Sequence, residues 1–290
     1  MKTNEFREQF MRVIFMLAAL AAITAVATIC VFLFQGGIVG ISKIGIGHFL
    51  LGTDWSPGNI PPSYGILPMI IGSIYVTAGA IIIGAPIGIF TAVFMAEICP
   101  KKIYNLLKPA VDLLAGITSV VYGFFGMVVL VPLVREHIGG RGPSILTASI
   151  LLGIMILPTI IGIAESSIRA VPRELYEGSL ALGASRERSV FCVILPAAKS
   201  GIMAAIVLGI GRAIGETMAV KMVAGNQPLL RMPNEFLMGV RTMTANVVIE
   251  MGYAEGLHRD ALISTGLVLF VFILIINLLF SILNNKGGDK

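Results

Sequence analysis

Six long apolar runs alternate with polar segments along this chain of 290 residues. A helix needs roughly 20 apolar residues to cross the ~30 Å hydrocarbon core of a membrane, and each run is about that long. The runs are continuous, so their backbone groups can pair in lipid within a helix but not as the alternating strands of a barrel. The pattern predicts an all-α integral membrane protein with six transmembrane helices, at residues 11–34, 67–96, 113–134, 145–164, 201–224 and 261–283.

The composition agrees with a membrane protein. Hydrophobic residues make up 56% of the chain and charged residues 13%, which is about half the charged share of an average soluble domain. A net charge of +5 is compatible with nucleic-acid binding, but Lys and Arg are spread over the segments beside the apolar runs and form no basic patch with interleaved aromatic residues. We therefore expect membrane lipid, and no nucleic acid, around this chain.

The distribution of Lys and Arg predicts the orientation. Six spans place both termini on one side of the membrane, and the segments on that side carry more Lys and Arg than the segments opposite. The positive-inside bias then puts both termini in the cytoplasm. Residues 35–66, 135–144 and 225–260 are external under this topology. In the first of these segments Trp55 is expected at the membrane interface, and the third is able to form a short helix between residues 234 and 251.

A long polar loop, residues 165–199, lies on the predicted cytoplasmic side. Connections of this length are normally functional or disordered, and the composition of this one argues against disorder. Its leucines recur with helical spacing, which predicts a short helix over about residues 173–183, a turn, and a second short helix leading to Leu195–Pro196. The pattern alone leaves two interpretations open, a solvated face beside the membrane or a docking handle for a partner.

The fifth apolar run contains two charged residues, Arg212 and Glu216. A central Arg costs about 2.5–3.5 kcal/mol on insertion scales, so neither side chain is expected to face lipid. Four residues apart on one helix, the two side chains lie on the same face and can approach each other. One interpretation is a buried ion pair that only satisfies itself. The other is a path for an anion, because Arg has five donors and a carboxylate occupies only some of them.

The chain contains no Walker pattern GxxxxGK[ST], so any ATP chemistry must come from another chain. His48, His137 and His258 lack the spacing of metal ligands, and no Ser/His/Asp or Cys/His constellation is present. We predict no catalytic residue, no metal and no cofactor in this chain, which is not an enzyme by itself.

The polar loop also carries a recognisable motif. Glu177, Gly183 and Leu195–Pro196 keep the spacing of Glu-Ala-Ala, Gly and Ile-x-Leu-Pro, although Gly178–Ser179 and Val193 depart from it. This resembles the EAA loop of ABC importer permeases. The resemblance implies a type I (MetI-like) architecture in which the loop docks into a groove of an ATPase subunit that binds ATP and Mg²⁺. The coupling residues it implies here are Glu174, Tyr176, Glu177, Gly183, Ala184, Ser185 and Arg186.

A more specific likeness lies in residues 211–220, followed by Gly225–Asn226, and in residues 114–126 and 156–159. These strings resemble the C-type permease subunit of the Pst high-affinity phosphate importers, except that Thr118 stands where a Pro is expected. The resemblance implies phosphate as substrate and a pathway containing Arg212, Glu216 and Thr217. It also implies four kinds of association: a second, A-type permease, two ATP-binding subunits, an external phosphate-binding protein, and the cytoplasmic (inner) membrane of a bacterium or archaeon.

The resemblance suggests three parts of the chain. Residues 1–66 hold the N-terminal cytoplasmic segment, the first span and an external loop, residues 67–283 form the ABC importer transmembrane domain, and residues 284–290 are a cytoplasmic tail. Three other functions stay open. The chain could serve an importer of sulfate, molybdate or another solute, or it could be a proton-coupled secondary transporter that uses Glu216 as a relay. It could also be a structural or assembly membrane protein whose buried ion pair has no role in transport.

Overall fold

The computed structural model describes residues 2–232 and 234–287. Strands β1 (Trp55–Ser56) and β2 (Ser63–Tyr64) form a small antiparallel sheet with Trp55 opposite Tyr64. The helices, in chain order, are α1 (Lys2–Ile44), α2 (Ile46–Leu51), α3 (Leu67–Val93), α4 (Lys101–Gly116), α5 (Ser119–Phe125), α6 (Val131–His137), α7 (Ile145–Arg169), α8 (Arg173–Ala181), α9 (Arg186–Ser189), α10 (Leu195–Ala197), α11 (Lys199–Gly215), α12 (Met218–Val223), α13 (Met243–Glu250) and α14 (Gly256–Gly287). Single π-helical turns at Phe94–Ile98, Gly126–Leu130 and Val190–Ile194 continue α3, α5 and α9.

The predicted all-α membrane architecture is confirmed. Within the described residues, five helical stretches are long and apolar enough to cross a membrane: Arg7–Ile44, Leu67–Ile98, Ser119–His137, Ile145–Arg169 and Gly256–Phe280. A sixth is obtained if Arg186–Ala197 and Lys199–Gly215, which meet at an angle of 69°, are taken as one bent span. The first helix is longer than predicted, since it runs to Ile44. The predicted tail at 284–290 continues α14 as far as Gly287, and its last three residues lie outside the described residues.

The third predicted span begins too early. Residues 113–116 belong to the amphipathic helix α4, and the chain is extended at Ile117 (ψ 130°) and Thr118 (ψ 151°) before α5 begins. The hydroxyl of Tyr122 in α5 donates to the carbonyl of Leu114, 2.9 Å away, and so satisfies an acceptor that the end of α4 leaves free. The apolar residues at the end of α4 extended the run in the sequence, although they belong to a separate helix.

The centre of the bundle is the packing of α3 against α7, with α11 beside both. Gly84 and Gly88 of α3 allow the approach, because a Cβ at Gly84 would lie 2.8 Å from the carbonyl oxygen of Gly153, and one at Gly88 would lie 2.8 Å from Ile160. This small-residue step is therefore used for helix packing within the chain. A second interface joins α1 to α14, where Gly37 faces Leu267 closely.

A buried carboxylate holds three elements together at one end of the bundle. Glu165 of α7 is 2% exposed and accepts from Lys108 of α4 (3.2 Å) and from Arg169 of its own helix (2.9 Å). Arg169 also donates to the carbonyl of Met95, 2.8 Å away, in the π-turn that ends α3. Burial alone lowers the pKa of Lys108, but the hydrogen bond and negative charge of Glu165 outweigh burial, so the pKa is raised and Lys108 stays charged.

At the other end of the bundle, the β1–β2 sheet and α13 pack together over the helices, and we call them the cap. Trp55 is 5% exposed and donates from its indole nitrogen to Glu250 of α13, 2.9 Å away. The prediction that Trp55 rests at the membrane interface is therefore wrong, because its one polar atom finds a buried acceptor inside the protein. The short helix predicted between residues 234 and 251 is present only in its second half, as α13.

Candidate functional site

The fifth apolar run is broken where its charged residues lie. Helix α11 ends at Gly215, Glu216 is extended (φ −69°, ψ 128°), and α12 begins at Met218. The glycines at 211 and 215 each weaken a helix by about 1 kcal/mol relative to Ala. The Glu216 carboxylate takes the place of a helical carbonyl acceptor at this break. Its Oε1 accepts hydrogen bonds from the backbone amides of Thr217 (3.2 Å) and Ala219 (3.3 Å). These are amides that the start of α12 leaves without a helical acceptor.

Of the two interpretations of Arg212 and Glu216, the ion pair between them is not formed in the described part of the chain. Because the helix ends between them, the two side chains do not share a helical face, and the carboxylate bonds backbone amides instead. Arg212 donates from Nη1 to the hydroxyl of Thr159 on α7, 2.9 Å away. Among the described residues, this is the one hydrogen bond of the guanidinium, and no carboxylate lies within 4.0 Å of it. Most of its five donors are thus available to a ligand.

The helix face that carries this arginine is open. Arg212 is half-buried, and a Cβ placed at Gly211 or at Gly215 would find no atom within 4 Å beyond its own helix. The small-residue step of α11 is therefore not packed against another helix of the described chain, unlike that of α3. An unpacked face with an unpaired Arg is suited to line a passage, or to meet a second chain across it.

Thr217 lies in the same break as Glu216, while Arg212 lies one turn earlier on α11 and is held by α7. The Thr217 hydroxyl donates to the carbonyl of Gly215 (3.1 Å), and Thr217 is half-buried. Two hydroxyls that the sequence reasoning did not select also belong to this site. Thr159 holds Arg212, and Thr244 donates to the Glu216 carbonyl from 3.2 Å. A Thr within an apolar run, directly after Pro158, was the available signal for the first.

The predicted surface helix of the polar loop is confirmed as α8, and the turn and second helix follow as predicted. Within α8 no side chain is fully buried, and Leu182 in the turn is 92% exposed. The turn depends on Gly183, which adopts φ +86°, a conformation that favours Gly. Ser185 then caps α9 by accepting from the amide of Arg188, 3.2 Å away. The seven predicted coupling residues thus lie in one exposed helix–turn–helix unit.

This helix–turn–helix unit is attached to the bundle at two points. Tyr176 packs against the buried cluster that contains Ile168 and Val190. Arg173 forms an ion pair with Glu97 in the π-turn after α3, with 3.6 Å between Nη1 and Oε2. A cavity of about 260 Å³ lies beneath the unit and is lined by residues including Glu97, Tyr176 and Arg186. The unit is therefore in direct contact with the end of α3.

Fold and site together define a class of protein. The chain is a helical membrane protein with an exposed helical loop and, within its described residues, an arginine without a carboxylate partner beside a broken span; its sequence has no phosphate-binding loop for ATP. The family model "Binding-protein-dependent transport system inner membrane component" matches residues 84–286. The chain therefore belongs to the family of ABC importer permease subunits, in which the ATPase is a separate subunit.

Curated relatives agree with this assignment. The chain is 41% identical over 279 residues to the "Probable ABC transporter permease protein YqgH" of Bacillus subtilis, covering 93% of this chain and 90% of that protein. It is 32% identical over 290 residues to the "Phosphate transport system permease protein PstC" of Haemophilus influenzae, with the same coverage. The predicted resemblance to the C-type phosphate permeases is thus confirmed over most of the chain.

Solved structures show the same fold. A chain of the MetNI methionine ABC transporter, in an inward-facing conformation, aligns with a TM-score of 0.58 at 18% identity over 77% of this chain and 94% of that chain. A chain of a bacterial alginate ABC transporter, solved with its pentasaccharide-bound periplasmic protein, aligns with a TM-score of 0.61 at 16% identity over 93% of this chain and 96% of that chain. The MetI-like type I permease architecture is thus confirmed.

Proposed function

We propose that this chain is one permease subunit of an ATP-driven importer of inorganic phosphate. Its pathway is formed with a second, A-type permease, and two ATP-binding subunits and an external phosphate-binding protein complete the complex. The observation that carries the proposal is the unpaired guanidinium of Arg212 on an open helix face. The name of the Haemophilus influenzae relative supports phosphate as the substrate.

The geometry suggests how an anion is handled. Arg212 is held by Thr159 through one donor, so its remaining donors can bind two oxygens of a phosphate side by side. Glu216 lies in the neighbouring break with its carboxylate tied to two backbone amides. Its negative charge limits how tightly an anion is retained near Arg212. A pathway site must bind weakly enough to release its substrate.

The helix–turn–helix unit of α8 and α9, named the coupling unit from here on, connects the pathway to the ATPase. The exposed residues of α8 and of the following turn are proposed to dock onto the ATPase subunit, which hydrolyses ATP and switches the access of the pathway. We also propose that both termini and this unit lie in the cytoplasm and that the cap with Trp55 and α13 lies outside, because Lys and Arg are more frequent on the terminal side. The membrane is proposed to be the cytoplasmic membrane of a bacterium or archaeon.

A proton-coupled mechanism has less support. A relay carboxylate must exchange its proton with water or with a neighbouring titratable group. Glu216 instead accepts hydrogen bonds from two backbone amides, which do not titrate and cannot pass on a proton. No observation in the site favours a secondary transporter over the ATP-driven one.

Reconstitution of the complex in liposomes tests the proposed function. We expect ATP-dependent uptake of labelled phosphate when the external binding protein is present, and at least tenfold slower uptake of labelled sulfate. An uncoupler should leave the phosphate uptake unchanged. Uptake of sulfate in place of phosphate would show that the chain serves an importer of another oxyanion. Loss of phosphate uptake with the uncoupler would indicate proton coupling.

The turn of the coupling unit gives a second test. Gly183→Ala forces a side chain into φ +86°, which costs about 1 kcal/mol, so the turn shifts and uptake should fall several-fold. Gly178→Ala is the matched control, because Gly178 lies inside α8 with open space around its Cβ position, and Ala there strengthens the helix. Uptake and ATP hydrolysis are measured together. Equal uptake by both variants would contradict a role for the turn in coupling.

A further inference from the structure

An unassigned cavity lies at the far end of α12 from the Arg212 site. It has a volume of about 700 Å³ and is formed by the loop after α6 and by the segment after α12. Helix α12 has six residues, so it separates the cavity from the break at Glu216 by about 9 Å along its axis. Under the proposed topology, the cavity opens to the outside.

Two arginines give the cavity its charge. Arg141 and Arg231 both line it, and none of the described residues that line it is acidic. Arg231 is fixed in place, since its Nε donates to the carbonyl of Gly239 (3.2 Å) and its Nη2 to the side chain of Gln227. Arg141 is exposed and makes no hydrogen bond or ion pair with the described part of the chain. The cavity therefore presents one held and one free guanidinium.

The walls of this cavity are tied to the bundle. The amide of Ser144 donates to the carbonyl of Val223 (3.0 Å), and that of Ile145 donates to Met238 (3.1 Å). On the other wall, Gly225 pairs with Val240 in a short parallel bridge. These bonds connect the segment after α12 to the start of α7, so that both arginines line one cavity. The positive charge is thus concentrated in a concave space and is not spread over a surface loop.

We propose that this cavity is a receiving site for a small oxyanion on its way to Arg212, with Arg141 and Arg231 as its ligands. The inference rests on the proposed function, because it assumes that the chain passes an anion. A concave site lined by one sign of charge raises the local concentration of the opposite ion. The free guanidinium of Arg141 captures the anion, and the held guanidinium of Arg231 supplies a second, fixed set of donors. Arg141 is exposed to solvent, which weakens its hold on the anion, so the anion can move on.

Cysteine labelling tests the site independently of transport. Leu229 lines the cavity and is 53% exposed, and Asn59 is exposed in the loop between β1 and β2, away from the cavity. Complexes carrying Leu229→Cys or Asn59→Cys are prepared in membrane vesicles and treated with an anionic or a neutral thiol reagent. Peptide mass spectrometry measures the labelling rate at each position, and the ratio is the rate with the anionic reagent divided by the rate with the neutral one. We expect the ratio to be roughly three- to tenfold higher at position 229 at low salt.

A charge-removing variant and competition by inorganic phosphate test whether the arginines cause this difference. Arg141→Gln should bring the ratio at position 229 down to that at position 59, and 10-fold more inorganic phosphate than reagent should also lower it. Arg259→Gln is the charge-matched control, because Arg259 is exposed and does not line the cavity. Equal ratios at both positions, or a ratio that neither phosphate nor sulfate lowers, would overturn the inference. Protection by sulfate and not by phosphate would support an oxyanion site and contradict phosphate as substrate.

Discussion

Replacement of Arg212 by Gln is expected to abolish phosphate uptake while the complex still assembles. Gln keeps a hydrogen-bonding group near Thr159 but removes the positive charge and the two-pronged donor set. A charge-assisted hydrogen bond contributes about 1.5–3 kcal/mol, so the loss of even one slows passage by roughly tenfold to a hundredfold. The measurements are uptake of labelled phosphate by the reconstituted complex and recovery of the subunits by size-exclusion chromatography.

Two further variants isolate the reason for that loss. Arg212→Lys keeps the charge without the planar fork and should retain part of the uptake. Thr159→Val removes the hydroxyl that holds Arg212, so uptake should fall less than with Gln while the charge remains in place. Normal phosphate uptake by Arg212→Gln would contradict the proposed pathway, and Arg212 would then be a structural residue of α11.

Replacement of Glu250 by Ala is expected to give the largest loss of stability. Its carboxylate is 8% exposed and accepts from three side chains, those of Arg241 (2.6 Å), Trp55 (2.9 Å) and His258 (2.8 Å). Without it, Arg241 remains 14% exposed with no carboxylate partner, and breaking a buried pair in this way costs about 3–5 kcal/mol. The three residues come from separate parts of the chain, so the cap should loosen as a unit.

Thermal unfolding of the purified complex checks this expectation. We expect the Glu250→Ala midpoint to fall by roughly 10 °C, in proportion to the lost free energy. Glu255→Ala is the control, because Glu255 is exposed in the same segment and its side chain makes no contact of this kind within the described chain. An unchanged midpoint for Glu250→Ala would mean that the cap does not depend on its central carboxylate.

The sequence by itself was enough to predict a helical membrane protein and the helices of its polar loop. Long apolar runs can satisfy their backbone only as helices in lipid, so the architecture was readable from local composition. The helix, turn and second helix of residues 173–197 were also predicted, because amphipathic spacing and Gly183 act over a few residues. The spacing from Glu177 to Pro196 identified the family, since a docking motif is a local string.

The tertiary structure decided how the charged residues are used. A spacing of four residues predicted that Arg212 and Glu216 share one helix face, which requires that the helix continue. The helix ends at Gly215 instead, because backbone amides of α12 compete for the carboxylate, and Thr159 from α7 holds the arginine. In the same way, only the fold brings Trp55 to Glu250. Partners distant in the chain leave no periodic signal in the sequence, so the free donors of Arg212 and the arginine-lined cavity became visible only in three dimensions.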